Sequence, residues 1–225
     1  MICAFDAYGT LFDVAAAARI LGEKKIHDSF TKNWQKLAEI WRTKQLQYTW
    51  LRTITNDHAD FWTVTQDGLD YALKSLDLEN VAGLRQQLLK LYWELKSYPE
   101  VPEVLINLRN KGYKTAILSN GSPEMLNAAV ASASIEKHLD AVLSVETVGV
   151  FKPHQKVYEI ITDTFHCHKD EVLFISANGW DVAAAGGHGF KTIWVNRMGE
   201  PIDELARKPQ YIIKDLKEVP ALAEI

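Results

Sequence analysis

The chain has 225 residues, of which 47% are apolar and 10% aromatic, and its formal net charge at pH 7 is −4. This length allows one large hydrophobic core together with a smaller inserted unit. The mild negative charge gives no reason to expect nucleic acid or an anionic membrane surface as a partner.

The cysteine content and the lack of long apolar runs bear on the compartment. Cys3 lies in a predicted buried strand and Cys167 in a predicted connection, and we interpret both as free thiols in a reducing compartment. No basic segment followed by an apolar leader is present, and no apolar run approaches the ~20 residues of a membrane span. We therefore expect a cytoplasmic protein without a membrane partner.

The first predicted element is a short buried strand, Ile2 to Phe5, which delivers the carboxylate of Asp6 into a turn. Gly9 and Thr10 supply a flexible backbone and a hydroxyl just beyond it. In open α/β sheets, ligands bind at the carboxyl ends of the strands. Asp6 is therefore a candidate nucleophile, although an aspartate in a turn can also be a simple cap.

Residues from about 15 to 97 have helical periodicity and no convincing strand. Within this region Trp34, Trp41 and Tyr48 recur every seven residues and predict a helix with one broad aromatic face. We interpret that face mainly as packing against other helices, the rest of the chain or a second subunit. The alternative is direct contact with a substrate.

From about residue 98 onward, apolar runs typical of strands alternate with helical segments. The predicted strands after the first are approximately 113–118, 141–144, 171–176, 191–195 and 210–213. The pattern predicts an α/β fold: a Rossmann-like core of parallel strands, residues 1–14 and 98–225, with an inserted all-helical cap, residues 15–97. Polar residues follow these strands: Ser119 and Asn120, then Lys152 at a predicted helix start, then Ser176, Asn178 and Asp181.

Together with the segment that contains Asp6, these three polar segments resemble, in order and spacing, the four motifs of the haloacid dehalogenase superfamily. The resemblance covers essentially the whole chain. Two positions differ from the metal-dependent phosphatases of that superfamily. Tyr8 stands where they have a second aspartate, and Ala177 stands where they have an acidic metal ligand. This combination resembles the L-2-haloacid dehalogenases, whose chemistry needs neither metal nor cofactor, because halide leaves as a stable anion.

A second resemblance lies in the cap. The stretch Ile40 to Arg52, IWRTKQLQYTWLR, is similar to the Trp-Arg-x-Lys-Gln-x-x-Tyr-Thr-Trp segment of these dehalogenases. In that family the arginine matching Arg42 reaches the substrate carboxylate or the departing halide. The fourth motif departs from the usual Ser-Ser-Asn at Ala177, and the lost hydroxyl predicts weaker hydrogen bonding to the catalytic carboxylates.

The resemblance implies that Asp6 attacks C2 of a small 2-haloacid and forms an ester, which water then hydrolyses. The implied catalytic residues are Asp6, Thr10, Arg42, Ser119, Asn120, Lys152, Tyr158, Ser176, Asn178 and Asp181. The implied substrate-binding residues are Tyr8, Arg42, Leu46, Phe61, Ser119, Asn120 and Trp180. The expected reaction converts a short-chain L-2-haloalkanoic acid to the D-2-hydroxy acid, with inversion at C2. Related dehalogenases are dimers, so we expect a homodimer.

Simpler interpretations of the same residues stay open. Thr10 and Ser119 are also typical of turn or helix caps, Tyr158 and Phe61 of core packing, and Asp181 of a helix start. His166, Cys167 and His168 are better explained as an exposed connection than as metal ligands. The alternative functions are a metal-dependent phosphatase of the same superfamily and a catalytically impaired binding module on this fold.

Overall fold

The computed structural model of the protein describes residues 1–25 and 27–224. Within them, six strands form one parallel sheet in the order β3-β2-β1-β4-β5-β6. The strands are β1 (Ile2–Phe5), β2 (Lys114–Ser119), β3 (Ala141–Ser144), β4 (Val172–Ser176), β5 (Lys191–Val195) and β6 (Tyr211–Ile213). The predicted strands agree with these bounds to within one residue at each end, and the α/β fold is confirmed.

The two central strands are buried along their whole length, β1 and β4 alike. Continuous apolar runs such as Ile2–Phe5 are typical of strands covered on both faces by helices. Successive strands are added to one side of β1 as far as β3 and then to the other side from β4 onward. The loops that follow β1 and β4 therefore diverge, and this is where open α/β sheets have a crevice.

The helices, in chain order, are α1 (Ala16–Glu23), α2 (Asp28–Thr55), α3 (Phe61–Ser75), α4 (Leu84–Trp93), α5 (Val101–Asn110), α6 (Pro123–Ala133), α7 (Gln155–Phe165), α8 (Gly179–His188) and α9 (Val219–Leu222). The first four lie within residues 15–97, where the helical periodicity predicted them. The precise ends of an inserted cap at 15 and 97 stay a prediction. Among residues 1–25 and 27–224, no helix combines the length and apolar character that crossing a bilayer requires.

Glycines follow the ends of two helices. Gly112 follows α5 and Gly189 follows α8, and both adopt positive φ angles, 82° and 109°. A left-handed residue after the last helical turn suits glycine because it has no Cβ to clash. Each of these glycines turns the chain from a helix into the next strand of the sheet.

One local expectation is wrong. Phe151, Lys152 and Pro153 do not open a helix, because α7 begins only at Gln155, with the His154 side chain capping its first turn. Lys152 therefore lies in the turn before the helix. That placement frees its side chain to reach back toward the end of β1.

Candidate active site

The end of β1 is the centre of the candidate site. The register pairs Phe5 with Ile117 on one side and Ile175 on the other. Asp6 therefore emerges between the ends of β2 and β4, and its backbone N–H donates to the Ile175 carbonyl at 2.9 Å. Parallel strands that end at one edge deliver their following residues to the same crevice.

The Asp6 carboxylate is buried, 6% exposed, and is surrounded by donors. Lys152 Nζ donates to Oδ1 at 2.9 Å, while Thr10 Oγ1 and Asn178 Nδ2 each donate to Oδ2 at 3.0 Å. Such a set of hydrogen bonds fixes the orientation of the carboxylate and offsets the cost of its burial.

Asp181 is the second carboxylate of the site and is fully buried. Its Oδ2 accepts from Lys152 Nζ at 2.9 Å and from Ser176 Oγ at 3.1 Å, and its Oδ1 accepts from the Tyr158 hydroxyl at 2.7 Å. One ammonium group thus bridges Asp6 and Asp181. The phenol of Tyr158 has a role beyond packing, because it holds the far oxygen of Asp181.

Burial and charge act in opposite directions on these groups. Burial alone would lower the pKa of the Lys152 ammonium, but the Asp181 and Asp6 carboxylates outweigh it and the net shift of the pKa is upward. Burial raises the pKa of Asp181 above the usual carboxyl value, with Lys152 opposing this and Asp6 adding to it. Lys152 stays charged at neutral pH, and Asp181 becomes a stronger base than an exposed aspartate.

The donor set does not fit a divalent metal ion. The ammonium of Lys152 lies between the two carboxylates, and positions 8 and 177 supply no acidic side chain. Within the described part of the chain, no three His, Cys, Asp or Glu side chains are grouped as metal ligands. The positive charge beside Asp6 comes from Lys152.

Helix α2 contributes Arg42 to this site. Its Nη2 donates to the Tyr8 carbonyl at 3.2 Å and to Asn178 Oδ1 at 3.3 Å. Asn178 also donates from its Nδ2 to Asp6, so it links the Arg42 guanidinium to the Asp6 carboxylate. A positive charge on α2 thus lies close to the candidate nucleophile.

Comparisons with known proteins agree with this geometry. The family model of haloacid dehalogenase-like hydrolases matches residues 1–189. The (S)-2-haloacid dehalogenase 4A of Burkholderia cepacia is 38% identical over 224 residues, which cover 99% of this chain and 92% of that relative. The chain belongs to the haloacid dehalogenase-like hydrolase family.

Two solved structures extend the similarity of this family member to three dimensions. A crystal structure of a dehalogenase superposes with a TM-score of 0.93 at 37% identity, covering 98% of this chain and 96% of the other. The L-2-haloacid dehalogenase from Xanthobacter autotrophicus with chloropropionic acid covalently bound superposes with a TM-score of 0.87 at 34% identity. That match covers 100% of this chain and 99% of the other.

The remaining candidate residues of this haloacid dehalogenase-like hydrolase make contacts with neighbouring loops and side chains. Ser119 is the last residue of β2, and its Oγ accepts from the Gly121 N–H at 3.1 Å. Asn120 Oδ1 accepts from the Lys152 N–H at 2.9 Å, which ties the β2 loop to the lysine turn. The Tyr8 ring packs on Phe61, with ring centroids 5.5 Å apart.

Leu46 and Trp180 are less closely connected to the carboxylates. Leu46 is half-buried on α2 and has no polar atom to join the network. Trp180 meets Trp50 edge-on at 5.4 Å and lines an apolar groove of about 750 Å³ between α2 and α8. The structure therefore gives Trp180 a clear contact with α2, and its contact with substrate stays a prediction.

Sequence reasoning missed two groups that brace the site. Arg197, beyond β5, donates to the Thr10 carbonyl at 3.0 Å, pairs with Glu100 at 2.7 Å and stacks over the Tyr98 ring at 3.7 Å. No local signal marks Arg197, because its partners are about a hundred residues or more away. Gln45 is the second omission: it contacts Arg42, and a polar residue three positions after a functional one on a helix was an available signal.

Proposed function

We propose that this protein hydrolyses the carbon–halogen bond of short-chain (S)-2-haloalkanoic acids to give (R)-2-hydroxy acids, with inversion at C2. The observation that carries the proposal is the Asp6 carboxylate, buried beside Lys152 and bridged through it to Asp181. The (S)-2-haloacid dehalogenases among the relatives, 38% identical over nearly the whole chain, support the substrate class.

The first step of the proposed reaction is a displacement at carbon. An Asp6 oxygen attacks C2 from the side opposite the halogen, a carbon–oxygen bond forms, and the halide leaves with the bonding electron pair. Lys152, Thr10 and Asn178 hold the attacking carboxylate in one orientation. Halide needs no proton to leave, which accounts for a tyrosine rather than an acid at position 8.

Arg42 and Asn120 are the proposed partners of the departing halide, and Ser119 with neighbouring backbone N–H groups is the proposed partner of the substrate carboxylate. The positive charge of Arg42 reaches the crevice from the cap. Tyr8 and Phe61 provide an apolar wall that excludes bulk water and suits a short alkyl group. Leu46 and Trp180 are proposed to extend this wall.

The second step is hydrolysis of the Asp6 ester. Water attacks the ester carbonyl carbon of Asp6 and gives its proton to Asp181, and the bond from that carbon to the substrate oxygen then breaks. The alkoxide that leaves takes the proton back from Asp181 and departs as the 2-hydroxy acid, and Asp6 loses the remaining water proton to solvent and is restored as a carboxylate. Ser176 and Tyr158 keep Asp181 in place through their hydrogen bonds to it.

The deciding experiment follows halide release from each enantiomer of 2-chloropropionate, with and without a chelator. We expect release from the L-enantiomer at the same rate in both conditions and formation of the D-2-hydroxy acid. Retention of configuration would contradict the single displacement at C2. Strong Mg²⁺-dependent hydrolysis of phosphate esters without halide release would instead support the alternative function, a metal-dependent phosphatase.

The proposal also covers location and assembly. Cys3 and Cys167 are both free thiols, which agrees with a reducing cytoplasmic compartment. A homodimer is proposed because large apolar side chains on α2 and α3, among them Leu51 and Tyr71, are 49% and 43% exposed. The net charge of −4 supports a small molecule rather than nucleic acid as the partner.

A further inference from the structure

Gln45 is a buried polar side chain, 1% exposed, one helical turn after Arg42 on α2. Its Oε1 accepts a hydrogen bond from Arg42 Nη1 at 2.9 Å. Residues three apart on a helix lie on the same face, so the two side chains meet directly. A buried amide needs partners for both its oxygen and its nitrogen, and this one has both.

The orientation of the Gln45 amide is fixed by its neighbours. Thr65 donates its hydroxyl proton to the Phe61 carbonyl at 2.7 Å, so toward Gln45 it can only accept. Gln45 Nε2 donates to Thr65 Oγ1 at 2.7 Å and to the Tyr92 hydroxyl at 3.0 Å. The amide nitrogen therefore faces α3 and α4, and the amide oxygen must face Arg42.

Arg42 is consequently held from two sides. Gln45 accepts from Nη1 on the cap side, while the Tyr8 carbonyl and Asn178 Oδ1 accept from Nη2 on the core side. All three acceptors are neutral. The guanidinium thus keeps its full positive charge for an anion, whereas a carboxylate at position 45 would neutralise it.

We propose that Gln45 is a positioning residue that acts through Arg42: it fixes the guanidinium plane toward the anion at the crevice while leaving its charge uncompensated. This inference rests on the proposed function, in which Arg42 meets the departing halide or the substrate carboxylate. Thr65 and Tyr92 extend the effect, because they hold the amide that holds the arginine.

The kinetic test is a double-mutant cycle on L-2-chloropropionate. Gln45→Met keeps the length of the side chain and removes the oxygen. In the protein that retains Arg42, we expect this change to lower kcat/KM about tenfold. In an Arg42→Lys background the same change should cost less than about twofold, because the group on which Gln45 acts is gone. Equal losses in both backgrounds would show a merely structural role and overturn the proposal.

Gln45→Glu separates orientation from charge. Its carboxylate still accepts from Arg42, so the guanidinium stays oriented, but the added negative charge competes with the substrate anion. We expect KM to rise with this variant, and kcat/KM to stay below that of the parent. Full kcat/KM with glutamate at position 45 would contradict the role of the neutral amide.

Nitrogen NMR gives a readout that does not need activity. Rotation about the Nε–Cζ bond of Arg42, assigned by its loss in Arg42→Lys, should be slow in the parent and in Gln45→Glu, and faster in Gln45→Met. If Gln45→Met does not fold, Thr65→Val removes the acceptor of the amide nitrogen and should also speed the rotation. Fast rotation in the parent overturns the inference, while slow rotation in a parent that releases no halide refutes only the proposed function.

Discussion

At the scale of single residues, Asp6 accepts hydrogen bonds from three side chains, Lys152, Thr10 and Asn178. Asp6→Asn replaces the carboxylate by an amide, which is a far weaker nucleophile. We expect halide release to fall by more than about 10³-fold, since no other carboxylate shares the position of Asp6. Halide release measured in burst and steady-state assays provides the check.

Labelling tests the same residue in the native protein. In a single turnover in heavy-oxygen water with enzyme in excess, the label should enter the Asp6 carboxylate, because water attacks the carbonyl of the ester. The product hydroxyl should carry the original carboxylate oxygen. Mass spectrometry of the peptide containing Asp6 locates the label, and a label found only in the product would mean direct attack of water on C2.

Asp181 is the proposed base of the second step. Asp181→Asn should slow ester hydrolysis by about 10²- to 10⁴-fold and let the Asp6 adduct accumulate, since formation of the ester needs no base. Intact-protein mass spectrometry after mixing with substrate should show the added mass. A slowed variant that never shows an adduct would contradict the covalent intermediate.

The pH dependence of hydrolysis follows from the raised pKa of Asp181, which burial produces. Only the carboxylate form can accept a proton, so the rate should fall as pH decreases through that pKa. The acid limb of the pH–rate profile should therefore lie above pH ~4, which is the range in which an ordinary aspartate titrates. Single-turnover rates across acid pH measure it, and the limb should disappear in Asp181→Asn.

At the scale of elements, the packing of α1 on α2 depends on one glycine. A Cβ added at Gly22 would lie 2.6 Å from the Trp34 ring. Alanine favours a helix by up to ~1 kcal/mol over glycine, but overpacking costs about 1–3 kcal/mol. We expect Gly22→Ala to lower the free energy of unfolding, as measured by urea denaturation.

Gly187 is a matched control, because it is also the penultimate residue of its helix. A Cβ there would meet nothing closer than the Arg207 side chain at 3.9 Å. Gly187→Ala should therefore be neutral or stabilise by about 0.5–1 kcal/mol. If both glycine variants changed stability alike, helix propensity rather than contact with Trp34 would decide the result.

The aromatic stripe on α2 is divided between different environments. Trp41 is buried, donates from its ring N–H to the Thr65 carbonyl at 2.8 Å and packs on Tyr92. Trp34 and Tyr48 are only half-buried. The predicted packing role of the stripe holds for all three, because Trp34 and Tyr48 also pack against the hydrophobic core. A more exposed apolar side chain of α2 lies further along the helix, at Leu51.

At the scale of the whole molecule, the assembly proposal predicts a mass of two chains in solution. Leu51→Glu places a charge among the exposed apolar residues of α2 and α3 and should shift the mass toward one chain. Ile212→Glu, on edge strand β6 and 46% exposed, is a matched control that should leave the mass unchanged. Light scattering at micromolar concentration measures both, and one chain in the parent would contradict the dimer.

The sequence by itself determined most of the core architecture and most of the carboxylate network. Buried strands are short apolar runs, and glycines mark the helix ends that precede some of them. The strands β1, β2 and β4 can therefore be predicted from the local sequence. The polar residues that follow them, Asp6, Ser119 and Ser176, had to share one edge once the strands were parallel. Resemblance to a family supplied Arg42 and the expected chemistry, which composition could not.

Only the tertiary structure decided how distant parts brace that site. Arg42 reaches Asn178 across 136 positions of sequence, and Arg197 reaches Thr10 across 187. The amide of Gln45 has its direction set by α3 and α4. These contacts depend on packing between elements far apart in the chain, and local propensity and periodicity carry no information on which surfaces meet.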